Sequence, residues 1–464
     1  MERRSKYLFK NIGILAISNF SSKVLVFLLV PLYTSVLSTA EYGIYDLVIS
    51  TVTLLYPLLT ANIVDAVMRF SMEKTRRKEE TASIGIKYVL ISIILFGSGL
   101  LVFHAADIYP NINDICVYIF LYYLFYVLNQ YFIQLAKGLE RVKDMGIAGV
   151  IGTVVMLTTN IIFLLVLKKG LPGFFTANIL AQAIPVLYYI IRLRFWNMLK
   201  RVDRHNRLEK EMLVYCLPLI CTALGWWVNS TADKYTVAII CGVAANGLLS
   251  VSYKIPSIIS TLQGIFTQAW QISAIKEYGE NGASNFYGQT FTYINVMMSI
   301  ACSGLILLSK PLAHILYAND FYKAWQYVPF LLISSVLNCA SGFIGPILSA
   351  KKDSKSMALS AVYGAVVNII LNIILVYIMG VQGATIATVI SSYLIYYIRI
   401  RAVKGEFAIK EYWKVLVTWG LLCLQAFLEI KTRFWFSEIV VLVSIAVVNR
   451  KVLMEIFKRV MKNG

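Results

Sequence analysis

Apolar residues run along this chain in blocks that are long for ordinary core helices. Fourteen such runs lie near residues 11–37, 42–68, 84–105, 114–136, 146–167, 174–191, 213–240, 247–275, 291–309, 325–350, 357–379, 383–400, 415–430 and 434–449, with short polar segments between them. A helix needs roughly 20 apolar residues to cross the hydrocarbon core of a bilayer, and most of these runs supply them. The pattern predicts an all-α integral membrane protein with about 14 transmembrane helices. The last two runs are short, so 12 spans with the final pair lying in the interface is the alternative count.

Composition agrees with that solvent. Hydrophobic residues make up 59% of the chain and charged residues only 14%, against about a quarter charged in a typical soluble protein. The net charge of +19 sits between the apolar runs and forms no long basic stripe. It therefore marks cytoplasmic loops, not a nucleic-acid surface. With the N-terminus inside, inner segments carry 33 Lys and Arg residues and outer loops carry six: Lys168, Lys169, Lys310, Lys323, Lys431 and Arg433. The count places both termini in the cytoplasm and supports an even number of spans. The basic start Met1-Glu-Arg-Arg-Ser-Lys leads into an apolar run too long for a signal peptide, and no small-residue cleavage site follows, so the first helix is expected to be retained. Seven cysteines and three histidines are scattered without ligand spacing, so neither a metal site nor a cofactor is expected.

Short loops narrow the function. The longest outer loop lies near 310–324, which leaves little chain for an external catalytic domain. There is no Gly-x-x-x-x-Gly-Lys-Ser/Thr, no Gly-x-Ser-x-Gly and no His-Glu-x-x-His, so the chain reads as neither an ATPase nor a hydrolase, and not as an enzyme.

Two stretches echo each other about 210 residues apart. Gly152-Thr-Val-Val-Met-Leu-Thr-Thr-Asn160-Ile-Ile matches Gly364-Ala-Val-Val-Asn-Ile-Ile-Leu-Asn372-Ile-Ile. Each leads to a glycine turn, Gly170–Gly173 or Gly380–Gly383, and then to a helix ending in Tyr-Tyr and Arg-x-Arg: Tyr188, Tyr189, Arg192 and Arg194, or Tyr396, Tyr397, Arg399 and Arg401. Six spans separate the copies, so the repeat is parallel and predicts two pseudo-symmetric six-helix lobes around a cleft. The expected parts are an N-terminal lobe over 1–198, a C-terminal lobe over 199–405, and an extra helix pair with a basic tail over 406–464.

Charges inside the spans cost free energy and ask for a reason. Lys23 lies in the first run, Asp46 and Asp65 in the second, Asp233 and Lys234 in the seventh and Lys254 in the eighth. Lys87, near a cytoplasmic end, can snorkel and needs no role. Asp65 and Arg69, four residues apart, read as a structural ion pair. Asp233 and Lys234 are neighbours in sequence and point about 100° apart on a helix, so each looks elsewhere. Lys23 either meets Asp46 across two helices or faces a wet cavity. Lys254 stands two residues before Pro256, which should loosen the helix. A cavity lined by lysines suits a phosphate or pyrophosphate, although embedded acids nearly balance these bases. Asp46 and Asp233 are the candidates for ion coupling. Polar residues such as Asn129, Gln130, Gln134, Asn160, Asn178, Gln182, Asn338, Asn368 and Asn372 can bond between helices. Gln263 and Gln271, eight residues apart on one face, are candidates for sugar contact together with Trp226, and Trp227 and Trp270 lie nearby.

These residues carry a family likeness. The run from Ser22 to Asp46 resembles the first helical hairpin of Wzx-type polysaccharide flippases, as do Asp65-Ala-Val-Met-Arg-Phe70, Ala232-Asp-Lys-Tyr235, Tyr253-Lys-Ile-Pro256 and Ala269-Trp-Gln-Ile-Ser-Ala-Ile-Lys-Glu-Tyr278. That family belongs to the multidrug/oligosaccharidyl-lipid/polysaccharide exporter superfamily. The resemblance implies a V-shaped pair of lobes in a bacterial inner membrane. It implies a cargo of undecaprenyl-pyrophosphate-linked oligosaccharide moved to the outer leaflet by alternating access, for O-antigen, capsule or other surface polysaccharide. It places the diphosphate on Lys23, Arg69, Lys234 and Lys254, where relatives often carry arginine; lysine keeps the charge and gives up the bidentate fork. A polysaccharide polymerase and a chain-length regulator are the implied partners, with no nucleic acid. The competing readings are a cation antiporter of the same superfamily, a lipid II flippase, and a membrane-bound glycan polymerase or transferase.

Overall fold

A computed structural model describes residues 27–73, 78–107, 113–199, 206–409, 411–431 and 435–463. Among them the chain is helical throughout and divides into two compact units, Met1–Trp227 and Val228–Gly464. Among the described residues ten helices are long and apolar enough to cross a membrane, or eleven if the bent pair Arg207–Gly225 and Ser230–Cys241 counts as one span. The first predicted run lies mostly outside the described residues.

The first unit contains α1 (Val30–Val36), α2 (Thr39–Leu59), α3 (Ile63–Ser71), α4 (Lys78–Ala105), α5 (Cys116–Gly138), α6 (Val142–Asn160), α7 (Gly170–Arg192) and α8 (Phe195–Leu199). A capping box starts α2: the Ser38 hydroxyl accepts from the Glu41 N–H at 3.2 Å, and the Ser38 N–H donates to Glu41 Oε2 at 2.8 Å. The run 42–68, expected as one helix, is two. Pro57 lies within α2, and Ala61 and Asn62 then adopt left-handed backbone with φ of 50° each. The Asn62 side chain donates to Asp65 Oδ2 at 2.9 Å, which steadies the turn into α3. Helix α5 is the hub of this unit and packs against α3, α4 and α7. Beyond Asn160 the α6 helix widens into a π-helical stretch, Ile161–Val166.

Helix α9 (Asn206–Cys241) begins in the first unit and ends in the second, where it is followed by α10 (Val243–Ser252), α11 (Pro256–Lys276), α12 (Ala283–Leu307) and α13 (Ser309–Leu316). A tighter 3₁₀ turn, Asn319–Tyr327, leads to α14 (Val328–Lys351), α15 (Ser354–Met379), α16 (Val381–Ala402), α17 (Tyr412–Lys431), α18 (Trp435–Val448) and α19 (Arg450–Asn463). The boundary between the units falls inside α9. The span ending in α14 is the core, with 89% of its apolar window buried, against 11% for the span through α6. It packs on α11, α12 and α16. Outer helices instead present apolar side chains outward, among them Ile94 at 69%, Val166 at 70% and Tyr377 at 83% exposure. Exposed apolar surface on this scale fits lipid, not water.

The echoed segments fold as like hairpins, α6–α7 in the first unit and α15–α16 in the second. Their basic stops find partners of different kinds. The Arg192 Nε donates to Asp144 Oδ1 at 3.1 Å, while the Arg399 guanidinium bonds Ser360 Oγ and the Ser341 carbonyl, both at 3.0 Å. The matched turn glycines allow close packing: a Cβ on Gly173 would stand 2.9 Å from Lys169 Cβ, and one on Gly383 would stand 2.1 Å from the Leu375 carbonyl oxygen. Helix α17 has 20 residues and passes as a span, whereas α18 has 14 and is too short to do so alone.

Candidate functional site

Glycine at position 242 organises the cluster of predicted charges in the second unit. Its φ of +91° lies where side-chain-bearing residues are strained, and it lets α10 turn back from the end of α9. Asp233 lies nine residues before this turn and Tyr253 eleven after it. At 1.5 Å per residue both sit about 14–16 Å from the turn, at one level of the hairpin. The Tyr253 hydroxyl donates to Asp233 there, and Asp233 also accepts from the Lys234 backbone N–H at 2.9 Å. Asp233 is buried, and beneath it Val237, Leu249, Leu331, Val376, Val381 and Ala384 form an apolar cluster that Tyr253 covers. Lys234 follows Asp233 toward the turn and Lys254 follows Tyr253 away from it, so the two lysines flank the Asp233–Tyr253 pair along the hairpin.

The helix breaks where Pro256 led us to expect it. Pro256 has no N–H to give to Ser252, and α10 ends at Ser252 while α11 begins at Pro256. Lys254 is half-buried in the intervening turn, with its N–H bonded to the Val251 carbonyl at 2.9 Å. That carbonyl also accepts from the Tyr317 hydroxyl at 3.1 Å. The run 247–275 is therefore two helices around a polar turn.

The remaining predicted residues are placed separately. Gln263 donates to the Asn338 carbonyl at 3.2 Å, and Gln271 is exposed. Trp270 is committed to packing: its N–H donates to the Phe343 carbonyl at 2.8 Å, and its ring stacks on Phe343 at 4.1 Å. Trp227 donates to the Ser50 carbonyl at 2.8 Å. The side chain of Trp226 and the whole of Lys23 lie outside the described residues.

In the first unit Asp46 is half-buried on α2. The expected Asp65–Arg69 pair is replaced by other contacts. Arg69, half-exposed at the end of α3, reaches Glu73 at 3.2 Å. Asp65 is turned toward α5 and accepts from Gln134 at 3.0 Å as well as from Asn62. Lys87 does more than snorkel: it meets Glu209 at 2.7 Å, and the Tyr88 hydroxyl donates to the same carboxylate at 2.7 Å. Several of the asparagines and glutamines do join helices, as Asn129 with Gln182 and Asn368 with Ser391. Among the described residues no cluster of three or more metal-ligating side chains occurs.

A family model described as "Polysaccharide biosynthesis protein" matches residues 8–271, more than half of the chain. No curated protein matches it. Solved structures share its fold. A lipid II flippase, MurJ, in an inward closed conformation aligns with a TM-score of 0.71 at 15% identity, covering 94% of this chain and 99% of that one. A multidrug resistance MATE family transporter of the MOP superfamily, in an inward-facing conformation, aligns with a TM-score of 0.65 at 14% identity over 90% of this chain and all of that one. An outward-facing MATE transporter gives 0.58 at 14% identity, over 86% and 96%.

Proposed function

The chain belongs to the polysaccharide biosynthesis protein family, and from that premise we propose that it is a flippase for a lipid-linked oligosaccharide. The cargo proposed is an undecaprenyl-pyrophosphate-linked repeat unit, carried from the cytoplasmic to the outer leaflet of a bacterial inner membrane. Both termini are cytoplasmic in this reading, and two six-helix lobes, 1–198 and 199–405, alternate access while 406–464 is an appendage. A polymerase and a chain-length regulator would act on the delivered glycan. One observation supports it most: Lys234 and Lys254 flank the buried Asp233–Tyr253 pair of the Gly242 hairpin, Lys254 in a broken helix. A polar turn with lysines can receive a diphosphate by charge-assisted hydrogen bonds while the lipid tail stays in the bilayer. Lys23 and Arg69 are proposed to complete the diphosphate contacts, Gln263, Gln271 and Trp226 to touch sugar, and Asp46 or Asp233 to take up a coupling ion.

Transport of labelled lipid-linked glycan in liposomes tests the reading. Time-dependent appearance of glycan on the far leaflet is expected, and its absence with folded protein in the membrane rejects it. The buried acid Asp233 favours a second reading, a cation antiporter like the MATE structures. Efflux of a cationic dye without glycan movement would select it.

A further inference from the structure

Away from the candidate site, the second unit holds a group of buried charges where α12 and α13 meet the C-terminal helices α17 and α18. Gln425 and Glu429 lie four residues apart on one face of α17. Gln425 is tied to α12 by two bonds, accepting from Ser303 Oγ at 2.6 Å and donating to the Ser303 carbonyl at 3.1 Å. Glu429 accepts from Ser309 Oγ at 3.1 Å and faces Lys310 Nζ at 3.4 Å. The same ammonium donates to the Glu429 backbone carbonyl at 2.9 Å and lies 4.6 Å above the Trp325 ring. Glu438, on the first turn of α18, is only 1% exposed and stands within electrostatic reach of Glu429 and Lys310. Neither of its carboxyl oxygens accepts a hydrogen bond of ordinary geometry, and the neutral Gln425 amide beside it already gives a hydrogen to the Ser303 carbonyl.

Charge balance decides what this arrangement holds. Lys310 neutralises one carboxylate, and Ser309 and the ammonium satisfy Glu429. A second ionised carboxylate, buried with no cation of its own and beside a like charge, is strongly unfavourable, and one neutral amide does not offset that cost. Protonation removes that charge, so two acids beside one ammonium hold one proton between them. The other neighbours do not change the sum. Helix α17 also contributes the Cys423 thiol, and α12 the thiol of Cys302, while Lys431 is exposed. Helix α19 follows the far end of α18, about 18 Å along the axis from Glu438, so Arg450, Lys451, Glu455 and Lys458 stand away from it.

We propose that Glu438 and Glu429 form a proton-binding site in the C-terminal helix pair, with the exchangeable proton on Glu438 and Lys310 holding Glu429 ionised. The proton comes from water and returns to it, making and breaking one O–H bond. Its loss sets two carboxylates against each other and loosens α18 from α12 and α17. The site does not depend on the transport reading.

Infrared difference spectra of the full chain in lipid nanodiscs, taken between acid and alkaline buffer, test it. The wild type should show a protonated-carboxyl C=O band that disappears on alkalisation. Glu438→Gln, a neutral isostere that keeps the fold, should lose the band. Glu429→Gln should lose it too, because Glu438 then becomes the counterion of Lys310, while Lys310→Gln should carry it to more alkaline pH. A wild type without the band overturns the proposal, as it would if Arg433, which lies outside the described residues, held Glu438 ionised. A band untouched by Glu438→Gln also overturns it, as does alkaline stability restored by sodium and not by potassium, which would make the occupant a metal cation.

Discussion

At the scale of single residues, the lysines of the hairpin turn and the acids around them carry different burdens. Lys254→Gln and Lys234→Gln each keep polarity and remove charge. A charge-assisted hydrogen bond is worth about 1.5–3 kcal/mol, so export per folded molecule should fall about tenfold or more, with arginine restoring much of it. Normal export per molecule in both glutamine variants would remove the diphosphate role. Asp144 is a contrasting case: buried, it accepts from the Tyr188 hydroxyl at 2.9 Å and from Arg192. Asp144→Ala should lower the thermal stability of the purified protein by about 1–3 kcal/mol without changing transport per molecule. Unchanged melting would show that the cluster adds nothing to stability. Lys254 was legible because Pro256 announces a break. The Asp233–Tyr253 bond was not, although the near-equal distances of both residues from Gly242 could have disclosed it. Glu429 and Glu438 were passed over because their runs looked like a short appendage, yet an acid in an apolar run is the same signal that singled out Asp233.

At the scale of elements, hydropathy located nearly every helix and misjudged their continuity. Apolar runs flank Thr60–Asn62 and Tyr253–Ile255 closely enough that hydropathy averages over these short polar turns, while the backbone breaks at both for local reasons. The paired glycine turns read from the repeat do mark hairpins, and they give a sharp test. Gly383→Ala places a methyl group against a backbone carbonyl that cannot move aside, whereas a Cβ at Gly304 meets nothing within 4 Å. Gly383→Ala should cut the yield of folded protein severalfold and Gly304→Ala should leave it unchanged; equal yields would mean that the α15–α16 approach is looser than described. The start of α15 adds a pH dependence. The Ser356 N–H and hydroxyl bind the Asp353 carboxylate at 3.0 and 2.7 Å and hold its pKa below the ordinary value. The folded pKa lies below the unfolded one, so the cap's contribution is present above the usual carboxylate range and is lost as pH falls through the folded value. Amide exchange at the first turn of α15 should therefore quicken in acid, and Asp353→Asn should flatten that response.

At the scale of the whole molecule, the asymmetry of 33 basic residues against six makes orientation testable. Single cysteines placed at 76–80, 200–206 and 458–463 should be shielded from impermeant reagents in intact cells, and those at 107–113 and 318–322 should react. Labelling of 200–206 from outside would reverse the proposed topology. The fold class was readable from apolar run length alone, because a bilayer permits few other structures for such a chain. The cargo was not, since sugar recognition rests on a few side chains whose partners are set by folding. Trp270 illustrates this: its sequence context suits stacking on a sugar, while its faces and its N–H are taken by Phe343 and its neighbours.

The π-helical stretch at Ile161–Val166 bears on how the chain tolerates changes in length. Its Leu167 N–H reaches back five residues to the Ile162 carbonyl at 2.9 Å, and the Lys169 N–H reaches back six to Phe163, also at 2.9 Å. Ten residues separate Asn160 from Gly170, but only eight separate Asn372 from Gly380 in the other copy. The helical part after Asn160 is no longer than that after Asn372, so the surplus lies in the link Leu167–Lys169, where the other copy has Gly380 alone, and the widened turns let this longer link be bonded back to the helix end. An inserted residue can persist here where it would rotate every downstream side chain of a regular helix by about 100°. Deleting one residue within 161–166 should therefore convert the stretch to regular α-helix and leave the yield of folded protein near normal, whereas deleting one within 365–370 should abolish it.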